Sequence, residues 1–326
     1  MAYYIGLDIG GTKCAAVLGK IANTSSLPEI VKKESFATEN LPPDTVLDRF
    51  LHFIEKTAEE YSVQAVGIGC GGPLNSETGE ILCPAGLPLW KNVKITEYFE
   101  RKFGIKTRLM NDANACAVAE WKFGAGKGAK NMAFLTFGTG LGAGLILNGK
   151  LYSGANDNAG EIGHVRLTKS GPLGYYKYGS CEGYCSGAGI KRLAEIMGNK
   201  ERYKNGYAAL LSKIGEENLS AKTIAEQAKN GDKFCLAVYK KSGEMLGKTL
   251  SILIDVLNPE LIVIGGVYMR AEELLYPYAL KEMEKESLAN ALSAVRIVPA
   301  KLSENVGDIA ALAVAAGGVL KAEAWK

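Results

Sequence analysis

The chain opens with an apolar run, Tyr3 to Asp8, that breaks at Gly10-Gly11 and resumes at Cys14 to Leu18, a pattern that predicts a hairpin with a glycine-rich tip. The pattern returns later. Met132 to Thr136 is apolar, Gly138 to Gly144 reads as the turn, and Leu145 to Leu147 as the returning strand. Set at an offset of about 128 residues, Leu7 meets Leu135, Asp8 meets Thr136, Gly10 meets Gly138 and Val17 meets Leu145, which suggests an internal duplication.

Between the hairpins, Leu47, Phe50, Ile54, Ala58 and Tyr61 fall on one stripe of a helix from Pro43 to Tyr61, and strands are expected at Val63 to Gly69 and Lys106 to Met110. Ala113 to Phe123 and Ser186 to Met197 read as short helices. Lys233 to Leu257 reads as a long one with Phe234, Val238, Leu246, Leu250 and Leu253 facing a core, and Leu261 to Ile264 as a buried strand ending in Gly265-Gly266. A last small, apolar helix, Asp308 to Leu320, is expected to pack back on the first lobe. Alternating strands and helices with early hairpins predict an α/β fold of two similar lobes, each a mixed sheet with an antiparallel edge. The expected division is 1–112 plus 305–326 as a small lobe and 113–304 as a large one.

Composition narrows the function. The 326 residues are 47% hydrophobic and 22% charged, enough apolar material for a sizeable core and long enough to favour two domains around a ligand cleft. The net charge of +3, without a basic block, gives no footprint for nucleic acid. The N-terminal residues carry no leader pattern and no long uncharged apolar run follows, so a cytoplasmic protein is expected. Seven scattered cysteines argue against a disulfide framework. With two histidines in the chain, a Cys/His metal site would have to draw on His164 together with Cys181 and Cys185.

Two familiar phosphate signatures fail. Gly67-Ile68-Gly69-Cys70-Gly71-Gly72 formally satisfies G-x-G-x-x-G, but Pro73 and the turn Ser76 to Gly79 follow where a dinucleotide-binding helix should start, and Asn92 is no ribose-binding acid. Gly126-Lys127 is followed by Gly128, which removes the P-loop. Asp8-Ile9-Gly10-Gly11-Thr12-Lys13 has another logic: a carboxylate at a strand end, glycines that bare backbone N–H groups, then a hydroxyl and an ammonium group. Gly138-Thr139-Gly140-Leu141-Gly142 repeats the cradle. Asp112, in Asn111-Asp112-Ala113-Asn114 at a strand-to-helix junction, admits two readings, a helix cap and a general base. Glu161, His164 and Glu182 together offer the donors and acceptors that a polyhydroxylated sugar needs.

Together these motifs resemble the ROK family (repressors, open reading frames and kinases) of the actin/hexokinase-like superfamily, over nearly the whole chain. The motifs carrying it are Asp8 to Lys13, Gly138 to Gly142, Asn111 to Asn114, the E-x-G-H run Glu161-Ile162-Gly163-His164, and Asn258 to Gly266. The resemblance implies a two-lobed actin-like, ribonuclease-H-like ATPase fold with an interlobe cleft. It also implies ATP-dependent phosphorylation of a hexose 6-hydroxyl with Asp112 as base. Gly71, Gly72, Asn111, Glu161, His164 and Glu182 would hold the sugar. Asp8, Gly10, Gly11, Thr12, Lys13, Gly138, Thr139 and Gly140 would hold the phosphates of ATP with Mg²⁺, and Gly265 and Gly266 would admit the adenosine.

Glucose is the first expectation, because Pro73 and Leu87-Pro88-Leu89-Trp90 look closer to glucokinase-like members. An N-acetylhexosamine or another hexose is the alternative. A homodimer is the family's usual arrangement. One departure is large: the family's C-x-C-G-x-x-G-C-x-E, whose cysteines with the histidine bind a structural zinc, is replaced by Leu173 to Glu182, where Glu182 aligns and the cysteines do not. No structural zinc is therefore expected, and Tyr175, Tyr176 or Tyr178 would have to orient His164 instead. Two rivals come from other classes. A sugar-responsive repressor would need a DNA-binding head, and a first strand at Tyr3 leaves no room for one. A non-catalytic sugar sensor sits badly with Asp112 and two phosphate loops.

Overall fold

The computed structural model describes residues 1–23, 26–38 and 41–318. The chain runs β1 (Ala2–Ile9), β2 (Lys13–Ile21), β3 (Glu29–Ala37), α1 (Pro43–Glu60) and β4 (Val63–Cys70). The short strands β5 (Leu74–Asn75), β6 (Glu80–Ile81) and β7 (Val93–Lys94) form a small sheet ahead of α2 (Ile95–Phe103), β8 (Thr107–Asn111) and α3 (Asp112–Phe123). Next come β9 (Met132–Phe137), β10 (Leu141–Leu147), β11 (Lys150–Tyr152), the hairpin β12 (Leu173–Gly174) and β13 (Lys177–Tyr178), and the helices α4 (Cys181–Tyr184), α5 (Gly187–Gly198), α6 (Glu201–Ile214), α7 (Ala221–Lys229) and α8 (Lys233–Leu257). The chain closes with β14 (Leu261–Ile264), α9 (Val267–Glu286), α10 (Ala289–Ala294), β15 (Arg296–Pro299) and α11 (Val306–Ala315).

Two compact units result: Met1–Met132 with Gly144–Gly160 and Lys301–Lys326, and Ala133–Ala143 with Glu161–Ala300. The first unit is built on a sheet of order β3-β2-β1-β4-β8. β1, β2 and β3 pair antiparallel, while β4 runs parallel to both β1 and β8. This is the mixed sheet with an antiparallel edge that the hairpin pattern implied. β4 lies between two partners and is non-polar from Ala65 to Cys70, as a strand covered on both faces must be. α1 lays Val46, Leu47, Phe50, Phe53, Ile54 and Thr57 into the same core as Ile5, Leu7, Leu18 and Val66. Its stripe differs from the expected one at Ala58, which is exposed while Thr57 is buried, because the true face is centred one residue earlier.

α11 covers the other face of this sheet. A Cβ on Gly67 would strike the backbone of Ala311 and Ala315, and one on Gly6 would sit 2.9 Å from Leu312 N, so glycines in the strands let a helix of small residues lie directly on them. The final helix is shorter than expected. It turns into a 3-10 segment at Ala316–Gly318, and the predicted last positions, 319 and 320, lie outside the described residues, as do 321–326 of the proposed 305–326 segment.

The second sheet has the order β11-β10-β9-β14-β15, strand for strand the layout of the first. The repeat suggested by the aligned hairpin residues is thus a repeat of topology. Its hairpin is tighter than expected, since β10 begins at Leu141 and only 138–140 form the tip. Beside it, α8 keeps the predicted bounds, starts from the Asp232 cap and buries all five predicted core residues. Gly243 and Gly247 let α9 approach, with Cβ positions 2.6 and 2.5 Å from the Leu275 and Ala279 carbonyls.

Candidate active site

Strand register gathers the candidate residues of the first unit. Asp8 is opposite Gly69 on β4, Ile9 opposite Cys70, and Cys70 opposite Asn111 on β8, so the β1–β2 tip, the Gly71-Gly72 turn and the start of α3 leave one edge of the sheet together. Such an edge, at the carboxyl ends of parallel strands, is where open α/β sheets bind ligands. A Cβ on Gly71 would lie 3.9 Å from Asp112 Oδ2, and one on Gly72 3.4 Å from Asn111 Nδ2. The sequence-predicted residues Gly71, Gly72, Asn111 and Asp112 are therefore neighbours.

The cap belongs to Asn111, correcting one of the two readings of Asp112. Asn111 Oδ1 accepts from the N–H groups of Ala113 (3.0 Å) and Asn114 (3.3 Å), and Asp112 is the first helical residue. Asp112 Oδ1 accepts a further bond from Ala113 N–H at 2.7 Å. Its carboxylate reaches solvent yet is densely surrounded by protein. That desolvation raises its pKa, and the Ala113 N–H pulls it part of the way back.

Asp8 carries the strongest electrostatic signature among the candidate site residues. Burial first, then the charges of Asp112 and Asp308, push its carboxyl up to about 7 against the opposing pull of Lys33 and Lys13. Asp308, at the start of α11, is buried and paired with Lys33 on β3. Gly307 sits against Asp8, where a Cβ would come within 2.6 Å of Oδ2. Lys33, Gly307 and Asp308 were missed in the sequence. The available signal was a Gly-Asp step opening an otherwise apolar helix. In the β1–β2 tip, Gly10 N–H donates to Lys13 O (3.1 Å), Thr38 N–H donates to Thr12 O (2.9 Å), and Gly11, Thr12 and Lys13 are exposed. A Cβ on Gly11 would be 2.6 Å from the Gly86 carbonyl oxygen.

The second unit gathers the remaining candidates around the β9–β10 tip. Gly138 N–H donates to Gly140 O (3.0 Å), and Gly187 N–H, at the start of α5, donates to Gly138 O (2.8 Å). Glu182 Oε2 accepts from Leu141 N–H at 3.1 Å and would lie 2.7 Å from a Cβ on Gly140. A Cβ on Gly163 would collide with the Leu141 carbonyl, which is the physical need for glycine inside E-x-G-H. Gly266, at φ +65, is pressed against Phe137 O, and Gly265 N–H donates to Leu135 O at 2.9 Å. Gly138, Thr139, Gly140, Gly163, Glu182, Gly265 and Gly266 thus converge on one hairpin.

Glu161 and His164 are exposed at the two ends of the E-x-G-H turn. The His164 ring stands edge-on to Tyr175, centroids 5.7 Å apart at 78°. The segment that would hold zinc in relatives is closed here by ordinary hydrogen bonds. Ser180 Oγ donates to Gly174 O and accepts from Gly183 N–H, and Thr168 Oγ1 meets both Ser170 O (2.7 Å) and Tyr184 OH (3.0 Å). Cys181 and Cys185 are buried, and Cys185 Sγ donates to Ser242 O, whereas His164, the histidine a zinc site here would draw on, is exposed. Among the described residues, no group of three or more His, Cys, Asp or Glu is placed to hold a metal ion.

A mixed α/β protein with duplicated five-stranded sheets and a glycine hairpin in each copy has the actin-like ATPase fold. The chain belongs to the ROK family, whose sequence profile matches residues 4–317. It is 31% identical to the glucokinase of Halalkalibacterium halodurans over 94% of this chain and 93% of that one. It is 29% identical to the glucokinase of Thermotoga maritima over 95% and 96%. Among solved structures it resembles a ROK-family glucokinase from Streptomyces griseus in complex with glucose and AMPPNP, with a TM-score of 0.80 and 27% identity over 96% of this chain and 99% of that one. No helix among the described residues is long and apolar enough to cross a membrane.

Proposed function

We propose that this protein is an ATP-dependent hexose kinase acting at the 6-hydroxyl, with glucose as its substrate. The observation that carries the reading is the Asp112 carboxylate, raised in pKa and set beside Gly71 on the same sheet edge as the β1–β2 glycine tip. Oδ1 is held by Ala113 N–H, which leaves Oδ2 to take the proton from the sugar hydroxyl as its oxygen bonds to the γ-phosphorus and the bond to ADP breaks. A raised pKa suits that task, because it brings the carboxylate's basicity nearer to the working pH.

Asn111, with Oδ1 committed to its cap, offers Nδ2 to the sugar, while Glu161, His164 and Glu182 supply the second unit's donors and acceptors. Glu182 does so with one oxygen already on Leu141 N–H. The two glycine tips bare N–H groups and the Thr12 and Thr139 hydroxyls for phosphate oxygens. Mg²⁺ fits the hard oxygens of Asp8, whose crowding by Asp112 and Asp308 a dication would relieve, and it asks few ligands of the protein when phosphates and water complete its shell. When bound it neutralises charge on the transferring group. A homodimer in the cytoplasm completes the proposal.

The test is coupled ATP turnover with purified protein across a panel of hexoses and N-acetylhexosamines. Glucose should give the highest kcat/KM with glucose 6-phosphate as product. A hexosamine ahead of glucose would change the assigned sugar, and sugar binding without turnover of any member would replace the kinase with a sensor.

A further inference from the structure

We propose that Tyr175 is a positioning residue that fixes the imidazole of His164 for sugar recognition, an inference that rests on the reading of His164 as a sugar ligand. The hairpin pairs Leu173 with Tyr178 and Gly174 with Lys177, leaving Tyr175-Tyr176 as a two-residue tip. Both residues have positive φ, 41° and 60°. Two-residue hairpins of this hand are the place of Asn-Gly or Asp-Gly, since a bulky side chain crowds its own backbone there. The chain nevertheless puts two tyrosines in it. Burial does not account for the choice, because Tyr176 is 83% exposed and Tyr175 42%.

What the Tyr175 ring does is stand edge-to-face with His164, at 5.7 Å between centroids, backed by Tyr176 at 5.6 Å. The same hairpin takes hold of the histidine backbone, for Lys177 Nζ donates to His164 O at 2.9 Å. The hairpin itself is anchored from outside the tip by Arg192 to Leu173 O (2.8 Å) and Ser180 Oγ to Gly174 O (3.3 Å). One short hairpin therefore grips the ring and the main chain of an otherwise exposed histidine. Backbone strain retained where a relaxed residue would fit points to a functional constraint.

The experiment replaces Tyr175 by a residue that suits the turn better. Tyr175→Asn should fold with an unchanged or higher Tm, since Asn tolerates positive φ. The chain has two histidines, so imidazole C–H resonances report on His164 directly, with His52 as internal reference once assigned by His52→Gln. In Tyr175→Asn the His164 resonance should move and that of His52 should stay. The sugar KM should rise about three- to ten-fold, the worth of one aromatic edge contact, with kcat and the ATP KM within about two-fold. Tyr175→Phe should restore both readouts, and Tyr178→Ala should leave them as in the parent. An unmoved His164 resonance in Tyr175→Asn overturns the positioning role whatever the activity. A moved resonance with an unchanged sugar KM overturns its link to the sugar. If the parent protein turns over no sugar, the kinase reading fails, while the resonance still decides whether Tyr175 holds His164.

Discussion

The two glycine hairpins share a topology and divide the chemistry. In the first, the strand end carries Asp8, a carboxylate crowded by Asp112 and Asp308 and tempered by Lys33 and Lys13. The second has Thr136 at the matching place, and its hydroxyl accepts from Gly142 N–H at 3.0 Å, an uncharged tie that keeps the hairpin shape. Its carboxylate support is Glu182, which reaches in from α4 and grips Leu141 N–H. The glycine tip thus stands in both hairpins, whereas the charged strand end stands in one. A shared fold sets where a ligand can lie, and the side chain at one strand end sets what can be done to it.

The largest blow to that division should be Asp112→Asn. The amide keeps shape and hydrogen bonding but takes no proton, so kcat should fall about 10² to 10⁴-fold with the sugar affinity nearly unchanged. Steady-state kinetics with isothermal titration of the sugar checks both. A variant with more than half the parent rate would remove the base from the first unit.

Asp8→Asn tests the crowding itself. Asp8 has a folded pKa of about 7 against an ordinary 3.8, so the folded state holds its proton more tightly. That stabilisation is full below about pH 4 and is lost as pH rises through about 7. The neutral amide escapes the loss, so at pH 8 without nucleotide the variant should melt about 2 to 4 °C above the parent, and the gap should close toward pH 4. A variant that melts lower at pH 8 would contradict the crowding. Thr12→Val and Thr139→Val compare the two tips directly: each should raise the ATP KM about five-fold, the loss of one hydrogen bond, with less effect on the sugar KM. Equal effects on both substrates would deny the tips a shared role. The smallest effect should come from zinc. Elemental analysis should find far less than one zinc per chain, and exhaustive chelation with Mg²⁺ restored should leave the rate unchanged.

Much of this was legible in the sequence where local rules and packing agree. The β1–β2 hairpin, the bounds of α8 and the strand β14 follow from apolar runs ended by glycine or asparagine, because those residues both pack and punctuate. β3 was invisible: Glu29–Ala37 carries Lys32, Lys33 and Glu34 in its middle, as an edge strand can, so no alternation marks it. α9 was hidden by Pro277 and a kink at Ala271. At the site, Asp112 and the glycine tips were readable from short motifs. The Lys33–Asp308 pair was not, since its members are 275 residues apart and only the Gly307-Asp308 step hints at one of them. Nor was the Tyr175-Tyr176 turn, whose residues are the wrong ones for the backbone they adopt.

The same 275-residue separation carries a consequence for how the molecule is made. The sheet that presents Asp8 is roofed by α11, so β1 and β4 leave the ribosome with Gly6 and Gly67 bare and must wait for their cover. At about 5 to 20 residues per second, the interval between Lys33 and Asp308 is roughly 15 to 55 s. During that time the first hairpin exists without its lysine–aspartate pair, and its apolar face is open to chaperones. The Asp8 carboxylate acquires its final surroundings only with the late arrival of a helix made almost entirely of alanine, valine, leucine and isoleucine.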